Sequence, residues 1–169
     1  MTEKDIISGC KNGNRKAQKA LYETHKNQMY TLAYRITGNR EEAEDVLVEG
    51  FMKVFNYLRT FKSQSALSTW IHTIIARTAY ATIRNRVYFE DIDEQEGNAM
   101  DFAELPSDIS HLERAIMELP DGYRTVFTLY EIEGYKHREI AEILEISDNT
   151  SKSQLSKAKA LLREKLEKI

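Results

Sequence analysis

The sequence predicts an all-α protein built from two small helical domains that are joined by an acidic linker. Apolar residues recur at three- and four-residue spacing through both ends of the chain, which is the period that puts side chains on one face of an α-helix. Strand-like alternation is nearly absent from the 169 residues. Only two prolines occur, Pro106 and Pro120, and both lie in or at the end of the acidic middle segment.

The N-terminal part, residues 1–87, is predicted to form a helical bundle. The apolar pattern places its helices at about residues 3–10, 14–36, 40–58 and 66–86. Gly38-Asn39 breaks the second of these helices. Gly50 lies inside the third, where glycine costs about 1 kcal/mol relative to alanine. We therefore expect another interaction to hold that helix in place.

Charge is distributed unevenly along the chain, whose formal net charge is −3. Residues 1–87 carry 14 basic and 8 acidic side chains, a balance of +6, whereas residues 88–120 carry 1 and 10, a balance of −9. Residues 88–110 also have few aliphatic side chains, so they offer little apolar surface to offset the entropy of ordering. We interpret residues 88–110 as an acidic, flexible linker between two domains.

The C-terminal part, residues 111–169, is predicted to contain a helix-turn-helix. Helical patterning resumes at about residues 110–118, 121–133, 136–144 and 147–168. Ile140, Ile143 and Leu144 face inward in the third of these segments, and Ser147 is a favourable N-cap for the fourth. A short helix, a tight turn and a capped helix with polar first turns form the arrangement by which a second helix enters the DNA major groove.

The last helix carries basic side chains suited to DNA. Residues 149–169 hold 6 basic and 2 acidic side chains, a balance of +4, although residues 121–169 as a whole are neutral. Phosphate binding depends on local basic surface rather than on net charge. The alternative interpretation is a plain helical hairpin with a solvated basic face.

Composition argues against several other classes of protein. There is no run of about 18 apolar residues and no basic start followed by an apolar stretch, so we expect a cytoplasmic protein with no membrane insertion of its own. Cys10 is the only cysteine, and the four histidines lack the paired spacing of a metal site. No glycine-rich phosphate loop or Ser/His/Asp arrangement is present. We expect no cofactor, no metal and no enzyme activity.

Two sets of short motifs resemble bacterial sigma factors, and most closely the small extracytoplasmic-function (ECF) group. The motifs similar to sigma region 4 are Leu119-Pro120, Tyr123-Arg124-x-Val126-Phe127, Glu133-Gly134-Tyr135, Glu139-Ile140-Ala141-Glu142-Ile143-Leu144 and Thr150-Ser151-Lys152-Ser153-x-Leu155. The motifs similar to region 2 are Tyr34-Arg35-x-x-Gly38, Ala43-Glu44-Asp45-Val46, Phe51-x-Lys53-Val54-Phe55 and Ser68-Thr69-Trp70-Ile71. Each motif is loose, but their order and spacing in one chain make the resemblance specific.

The resemblance implies a factor that directs promoter-specific initiation, with core RNA polymerase, promoter DNA and an anti-sigma factor as partners. It implies contacts to the −35 element from Arg138, Asn149, Thr150, Ser151, Lys152, Ser153, Ser156 and Lys157. It implies contacts to the −10 element from Lys62, Ser63, Gln64, Ser65, Trp70, Arg77 and Arg84. It implies contacts to the polymerase from Asp45, Glu49, Met52 and Phe55.

These assignments have structural alternatives. Trp70 suits core packing as well as base stacking, and the polar loop at 61–68 suits a plain connection as well as base capture. The basic side chains of the fourth helix either contact a DNA backbone or form a solvated face; they are Arg77, Arg84 and Arg86. The acidic linker either threads towards the RNA-exit channel of the polymerase or remains a tether without contacts.

Some positions depart from the family pattern. Arg77 stands where many relatives have asparagine, and Val48 stands where they often have glutamine. Glu145 occupies a turn position that usually holds glycine, so it has to tolerate a strained backbone at a cost of about 1 kcal/mol. Gln154, Lys157 and Lys159 stand where relatives often have arginine, and lysine lacks the bidentate fork of arginine.

Two other functions compete with this interpretation. A stand-alone helix-turn-helix regulator would use the same motif without polymerase, but it leaves the basic N-terminal part unexplained. The second competing function is that of a small helical enzyme. The scattered histidines and the missing catalytic motifs argue against it.

Overall fold

The structure, a computed structural model, describes residues 1–90 and 110–168, and for residues 87–90 it describes the backbone alone. The elements in these ranges are helical, which confirms the all-α prediction. They are α1 Glu3–Lys11, α2 Arg15–Thr37, α3 Arg40–Tyr57, α4 Leu67–Glu90, α5 His111–Met117, α6 Asp121–Phe127, α7 His137–Leu144 and α8 Asp148–Glu167. A 3₁₀ turn, Leu58–Thr60, follows α3, and a π-helical turn, Thr128–Ile132, follows α6.

The helix bounds agree with the sequence prediction to within one or two residues, except for α6 and α4. The segment predicted at about 121–133 is α-helical only to Phe127 and continues as the π-helical turn to Ile132. The other exception is α4. This helix continues to Glu90 instead of ending near residue 86, so the first residues of the predicted linker are helical. Residues 91–109 of that linker lie outside the described residues. The boundaries 1–87, 88–110 and 111–169 remain a prediction.

The N-terminal half, residues 1–90, is a bundle in which α2, α3 and α4 contact one another and α1 packs on α2. The α2–α3 corner is fixed by local bonds at the predicted break. Gly38 ends α2 in the left-handed region, with φ 68°, and its N–H donates to the carbonyl of Tyr34 at 2.7 Å. The side chain of Asn39 then caps α3 by accepting from the N–H of Glu42 at 2.9 Å.

Gly50 lies on the buried side of α3, where this helix packs against α4. A Cβ atom added at Gly50 would lie 2.3 Å from Cδ1 of Ile75, and the side chain of Ile75 is fully buried. The absent side chain therefore permits the close approach of α3 and α4. This packing is the additional interaction expected for a helix with an internal glycine.

Replacing Gly50 with alanine is expected to lower the free energy of unfolding by about 1–3 kcal/mol, because Ile75 is enclosed and has to shift to make room. Urea unfolding of the purified protein measures the effect. Gly122→Ala in α6 is the matched control, since a Cβ there would meet only Gln154, at 3.4 Å. The control should be neutral or slightly stabilising, and an equal loss in both variants would contradict the packing explanation.

The C-terminal half, residues 110–168, packs α5, α6 and α7 around α8. It also touches the N-terminal half, because α6 contacts α2 and α7 contacts α4. Val126 and Leu129 belong to the same cluster of buried apolar side chains as Ile36 and Ile75. In the part of the chain that the structure describes, no helix combines the length and the apolar character needed to cross a membrane.

Candidate nucleic-acid interface

The predicted helix-turn-helix is formed by α7, a three-residue turn and α8. Glu145 ends α7 in the left-handed region, with φ 55° and ψ 46°, which is the strained conformation expected at this turn. The N–H of Ile146 donates to the carbonyl of Ala141 at 3.1 Å and closes the turn. Ser147 then caps α8 by accepting from the N–H of Thr150 at 3.0 Å, which confirms the predicted N-cap.

Apolar side chains on the inner faces hold the two helices of this motif together. The buried ones are Ile140, Ile143 and Leu144 of α7 and Leu155, Ala158 and Leu162 of α8. Leu166 lies one turn beyond Leu162 on α8 and is 38% exposed. The buried stripe therefore ends about one turn before the C-terminus of α8. The N-terminal turns of α8 are packed against the rest of the motif.

The outer side of α8 presents a polar surface, which we call the recognition surface. It consists of the exposed residues Asn149, Thr150, Lys152, Ser153, Ser156 and Lys157, together with Arg138 of α7. Within residues 1–90 and 110–168, none of Arg138, Lys152 and Lys157 forms a salt bridge. Lys159 differs, because its ammonium group is paired with Glu131 at 2.7 Å. Three cations are thus available to an external anion.

Ser151 does not share the recognition surface, and this corrects the assignment made from the sequence. Its side chain is fully buried, and its hydroxyl lies 2.8 Å from Nδ1 of His137. The ring of His137 stacks on Tyr130, with centroids 4.4 Å apart. Ser151 therefore connects α8 to α7 and helps to orient the recognition surface instead of contacting DNA itself.

The loop between α3 and α4 exposes the four polar residues expected to contact a base, Lys62, Ser63, Gln64 and Ser65. Ser63 adopts a left-handed conformation with φ 58°, which is costly for a residue with a side chain. Phe61 is buried beneath the loop, and Trp70 packs on it with ring centroids 5.2 Å apart. Trp70 is only partly buried, so part of its side chain remains accessible.

An open cavity of about 380 Å³ lies on the α1 side of this loop. It is lined by Lys4, Ile7, Ser8, Lys11, Asn12 and Ser63. The ammonium group of Lys11 also donates to the carbonyl of Phe61 at 3.4 Å, so that α1 supports the start of the loop. Sequence reasoning assigned no role to Lys4 or Lys11, because only the folded chain brings α1 beside the loop.

Two of the three arginines of α4 are exposed to solvent. Arg77 and Arg84 are exposed, and the guanidinium of Arg84 lies 5.4 Å from the ring centroid of Tyr80. Arg86 instead turns inward, where it donates to the carbonyl of Thr37 at 2.9 Å. The predicted basic row along α4 is therefore formed by Arg77 and Arg84 without Arg86.

The outer face of α3 combines acidic and apolar side chains, and we call it the α3 face. Its exposed members lie at helical spacing and are Asp45, Val48, Glu49 and Met52. Val48 and Met52 are each 61% exposed, which is unusual for large apolar residues. Phe55 is half-buried, with its ring 6.2 Å from that of Phe51, so it contributes to the core as well as to this face.

Comparison with known proteins identifies both halves. The family described as Sigma-70 region 2 matches residues 21–87, and the family described as Sigma-70, region 4 matches residues 110–162. The ECF RNA polymerase sigma factor SigW of Bacillus subtilis is 30% identical in an alignment covering 98% of this chain and 97% of SigW. The chain belongs to the ECF family of RNA polymerase sigma factors. The ECF RNA polymerase sigma-E factor of Haemophilus influenzae is 26% identical in an alignment that covers all of this chain and 97% of that protein.

The fold of this ECF sigma factor is also found in a solved relative. The sigma factor RpoE from Bartonella quintana, in complex with the anti-sigma factor NepR, matches with a TM-score of 0.65 and 25% identity. The match covers 88% of this chain and 96% of RpoE. A sigma factor acts in transcription initiation by binding core polymerase and promoter DNA. The match to region 2 leaves the stand-alone regulator without support, since such a protein would have no need of that region.

Proposed function

We propose that this ECF sigma factor reads the −35 element with its recognition surface. The observation that carries the proposal is the group of three cations, Arg138, Lys152 and Lys157, that have no salt-bridge partner within the described residues. The first turns of α8 carry hydroxyls and an amide between these cations, and such groups contact phosphates and base edges. Ser151 and His137 support this surface from beneath.

We further propose that the α3–α4 loop and the exposed arginines of α4 bind the −10 element as a single strand. Lys62, Ser63, Gln64 and Ser65 would bond to the edge of an unstacked base, and the partly buried Trp70 would form a wall of the same site. Arg77 and Arg84 would contact the adjoining backbone. The strained backbone of Ser63 supports a functional role for this loop.

The α3 face is proposed to dock on core polymerase. Two large apolar side chains exposed beside two carboxylates, Asp45 and Glu49, suit an interface with an apolar centre and a charged rim. Burial of Val48 and Met52 would supply affinity, and the carboxylates would favour a basic partner surface. The two halves would then bind different promoter elements. Residues 1–87 would bind the −10 element, residues 111–169 would bind the −35 element, and residues 88–110 would join them.

Initiation by this protein would involve no bond chemistry of its own. Its contribution is to position polymerase and to hold the separated strand. We also propose that an anti-sigma factor regulates it, because the similar sigma factor RpoE was solved in complex with the anti-sigma factor NepR.

Run-off transcription with purified core polymerase and a library of promoter sequences tests the proposal. We expect initiation from a subset of sequences that share bases near −35 and −10, and no initiation from core polymerase alone. Uniform or absent initiation across the library would overturn it. A Lys62→Ala/Gln64→Ala variant should alter the selected bases near −10 while leaving those near −35 unchanged.

A further inference from the structure

His137 is the first residue of α7, and its imidazole ring is held by three helical segments. Its own backbone belongs to α7. Tyr130 of the π-helical turn stacks on the ring, with centroids 4.4 Å apart and planes 19° from parallel. Ser151 of α8 places its hydroxyl 2.8 Å from Nδ1 of the ring. A histidine that is held in this way has little rotamer freedom, so the fold also fixes the position of its second nitrogen, Nε2.

The contact with Ser151 also determines which nitrogen of the neutral His137 ring carries the hydrogen. Ser151 is fully buried, and a buried hydroxyl group needs an acceptor for its hydrogen. Within residues 1–90 and 110–168, the acceptor that this hydroxyl has is Nδ1 of His137. When the hydroxyl donates to Nδ1, the hydrogen of the neutral ring lies on Nε2. Nε2 is therefore a donor in the neutral ring, as it is in the protonated ring.

The donor at Nε2 of His137 has no acceptor in the part of the chain that the structure describes. The hydrogen bond of the ring there is the one at Nδ1. Nε2 is not among the buried side-chain atoms that lack a partner, which belong to Arg86, Arg114, Thr128 and Gln154. Because His137 is half-buried and this nitrogen is not, Nε2 lies at the solvent-accessible edge of the ring. The fold thus holds an N–H donor rigidly and leaves it open to an external acceptor.

The charges around this donor favour an anionic acceptor. Lys136 precedes His137 and Arg138 follows it, and both are exposed. Neither of these cations forms a salt bridge within the described residues. Glu139 is the nearest acidic residue along the chain, and helical spacing places it about 200° around the axis of α7 from His137. An anion that accepts from Nε2 therefore lies close to positive charge.

We propose that His137 binds a backbone phosphate of the −35 duplex through Nε2, and that Ser151 and Tyr130 position its ring. This contact rests on the −35 readout proposed above. In a helix-turn-helix the second helix lies in the groove and the first crosses the backbone, so a donor on α7 meets phosphates rather than bases. The contact would fix the register of the recognition surface on the duplex. Ser151, which is buried, would affect DNA binding through His137.

Single methylphosphonate linkages test this contact, because each replaces a charged phosphate oxygen with a methyl group. Holoenzyme, formed from core polymerase and the full chain, is titrated with a promoter selected by run-off transcription, and each linkage around its −35 element is neutralised in turn. With His137 present, we expect one linkage at which neutralisation weakens binding by about tenfold. With His137→Asn, the unmodified promoter should bind about tenfold more weakly, and neutralising that linkage should cost little more. Linkages that contact other residues should cost both proteins the same factor.

Two amide substitutions separate the contact with DNA from a purely structural role of His137. Asparagine places its amide oxygen near the position of Nδ1, so it keeps an acceptor for Ser151 but has no donor in place of Nε2. Glutamine places its amide nitrogen near the position of Nε2, so it keeps that donor but loses the bond with Ser151. His137→Gln should therefore bind the promoter more tightly than His137→Asn. Thermal unfolding of the free protein should give the opposite order, with His137→Asn the more stable.

His111→Asn is the matched control, because it removes an exposed histidine from α5 in the same half of the chain. It should leave the affinity for the promoter and the response to every linkage unchanged. Ser151→Ala should reduce the response at the His137 linkage, since the ring is then less firmly held. Circular dichroism establishes that each variant is folded. If folded His137→Asn responds to every linkage as the unaltered protein does, His137 does not bind a phosphate.

Failure of the proposed −35 readout gives a different result from failure of this contact. If the readout is wrong, holoenzyme binds a promoter with a scrambled −35 element as tightly as the selected promoter, whatever the state of its linkages. If the selected −35 element is preferred and no linkage depends on His137, the readout stands and the phosphate contact is refuted.

Discussion

Replacing Lys152 and Ser153 together with alanine is expected to reduce transcription from promoters that depend on the −35 element by about tenfold or more. Both side chains are exposed near the N-terminus of α8, and Lys152 has no salt-bridge partner within the described residues. Loss of one phosphate or base contact costs about 1–3 kcal/mol, and about 1.4 kcal/mol corresponds to a factor of ten. Run-off transcription on promoters with intact and scrambled −35 elements measures the change.

Binding to core polymerase should be retained in this variant, because the altered side chains lie far along the chain from the α3 face. Arg163→Ala is the matched control, since it removes one exposed cation from the same helix about three turns further on. The salt dependence of DNA binding should become shallower by about one unit of slope in the variant and stay unchanged in the control. Simultaneous loss of polymerase binding would instead mean that the substitutions unfold the helix.

Replacing Val48 and Met52 with alanine is expected to weaken binding to core polymerase by about tenfold or more. Each side chain is 61% exposed in the free protein, and full burial of a valine or methionine contributes about 1.5–3 kcal/mol. A titration of labelled sigma factor with core polymerase gives the dissociation constant. Raising the polymerase concentration should restore transcription, since the promoter contacts are intact.

Tyr57→Ala serves as the control for the α3 face. Tyr57 is 56% exposed and lies on α3, but helical spacing places it about 140° around the helix axis from Met52 and about 180° from Val48. Its removal should leave polymerase affinity nearly unchanged. If Tyr57→Ala weakens binding as much as the double variant does, the interface is not confined to the proposed face.

Local features of the fold followed from the sequence because their causes are local. The apolar period predicted each helix, Ser147 was found to cap α8, and Glu145 was found in the strained conformation expected of it. Ser151 was misassigned because its neighbours in sequence are exposed, whereas its partner His137 lies 14 residues away on another helix. The α4 helix continued further than predicted, into residues whose acidic composition suggested a linker.

The polar contacts between residues 1–90 and 110–168 could not be predicted, because they join residues that no periodic pattern relates. The bond from Arg124 to Ile36 spans 88 positions, and that between His72 and Glu133 spans 61. Arg124 and Glu133 were noted only as parts of family motifs, and Arg86 as part of a basic row. The spacing of apolar residues predicts helices, but it does not indicate which buried polar groups will lie close together in the folded protein.

The shared core has a consequence for how the stability of this protein behaves. Buried side chains of both halves, including Ile36, Ile75, Val126 and Leu129, belong to one cluster. The two halves are therefore thermodynamically coupled, and a substitution in one shifts the unfolding equilibrium of the other.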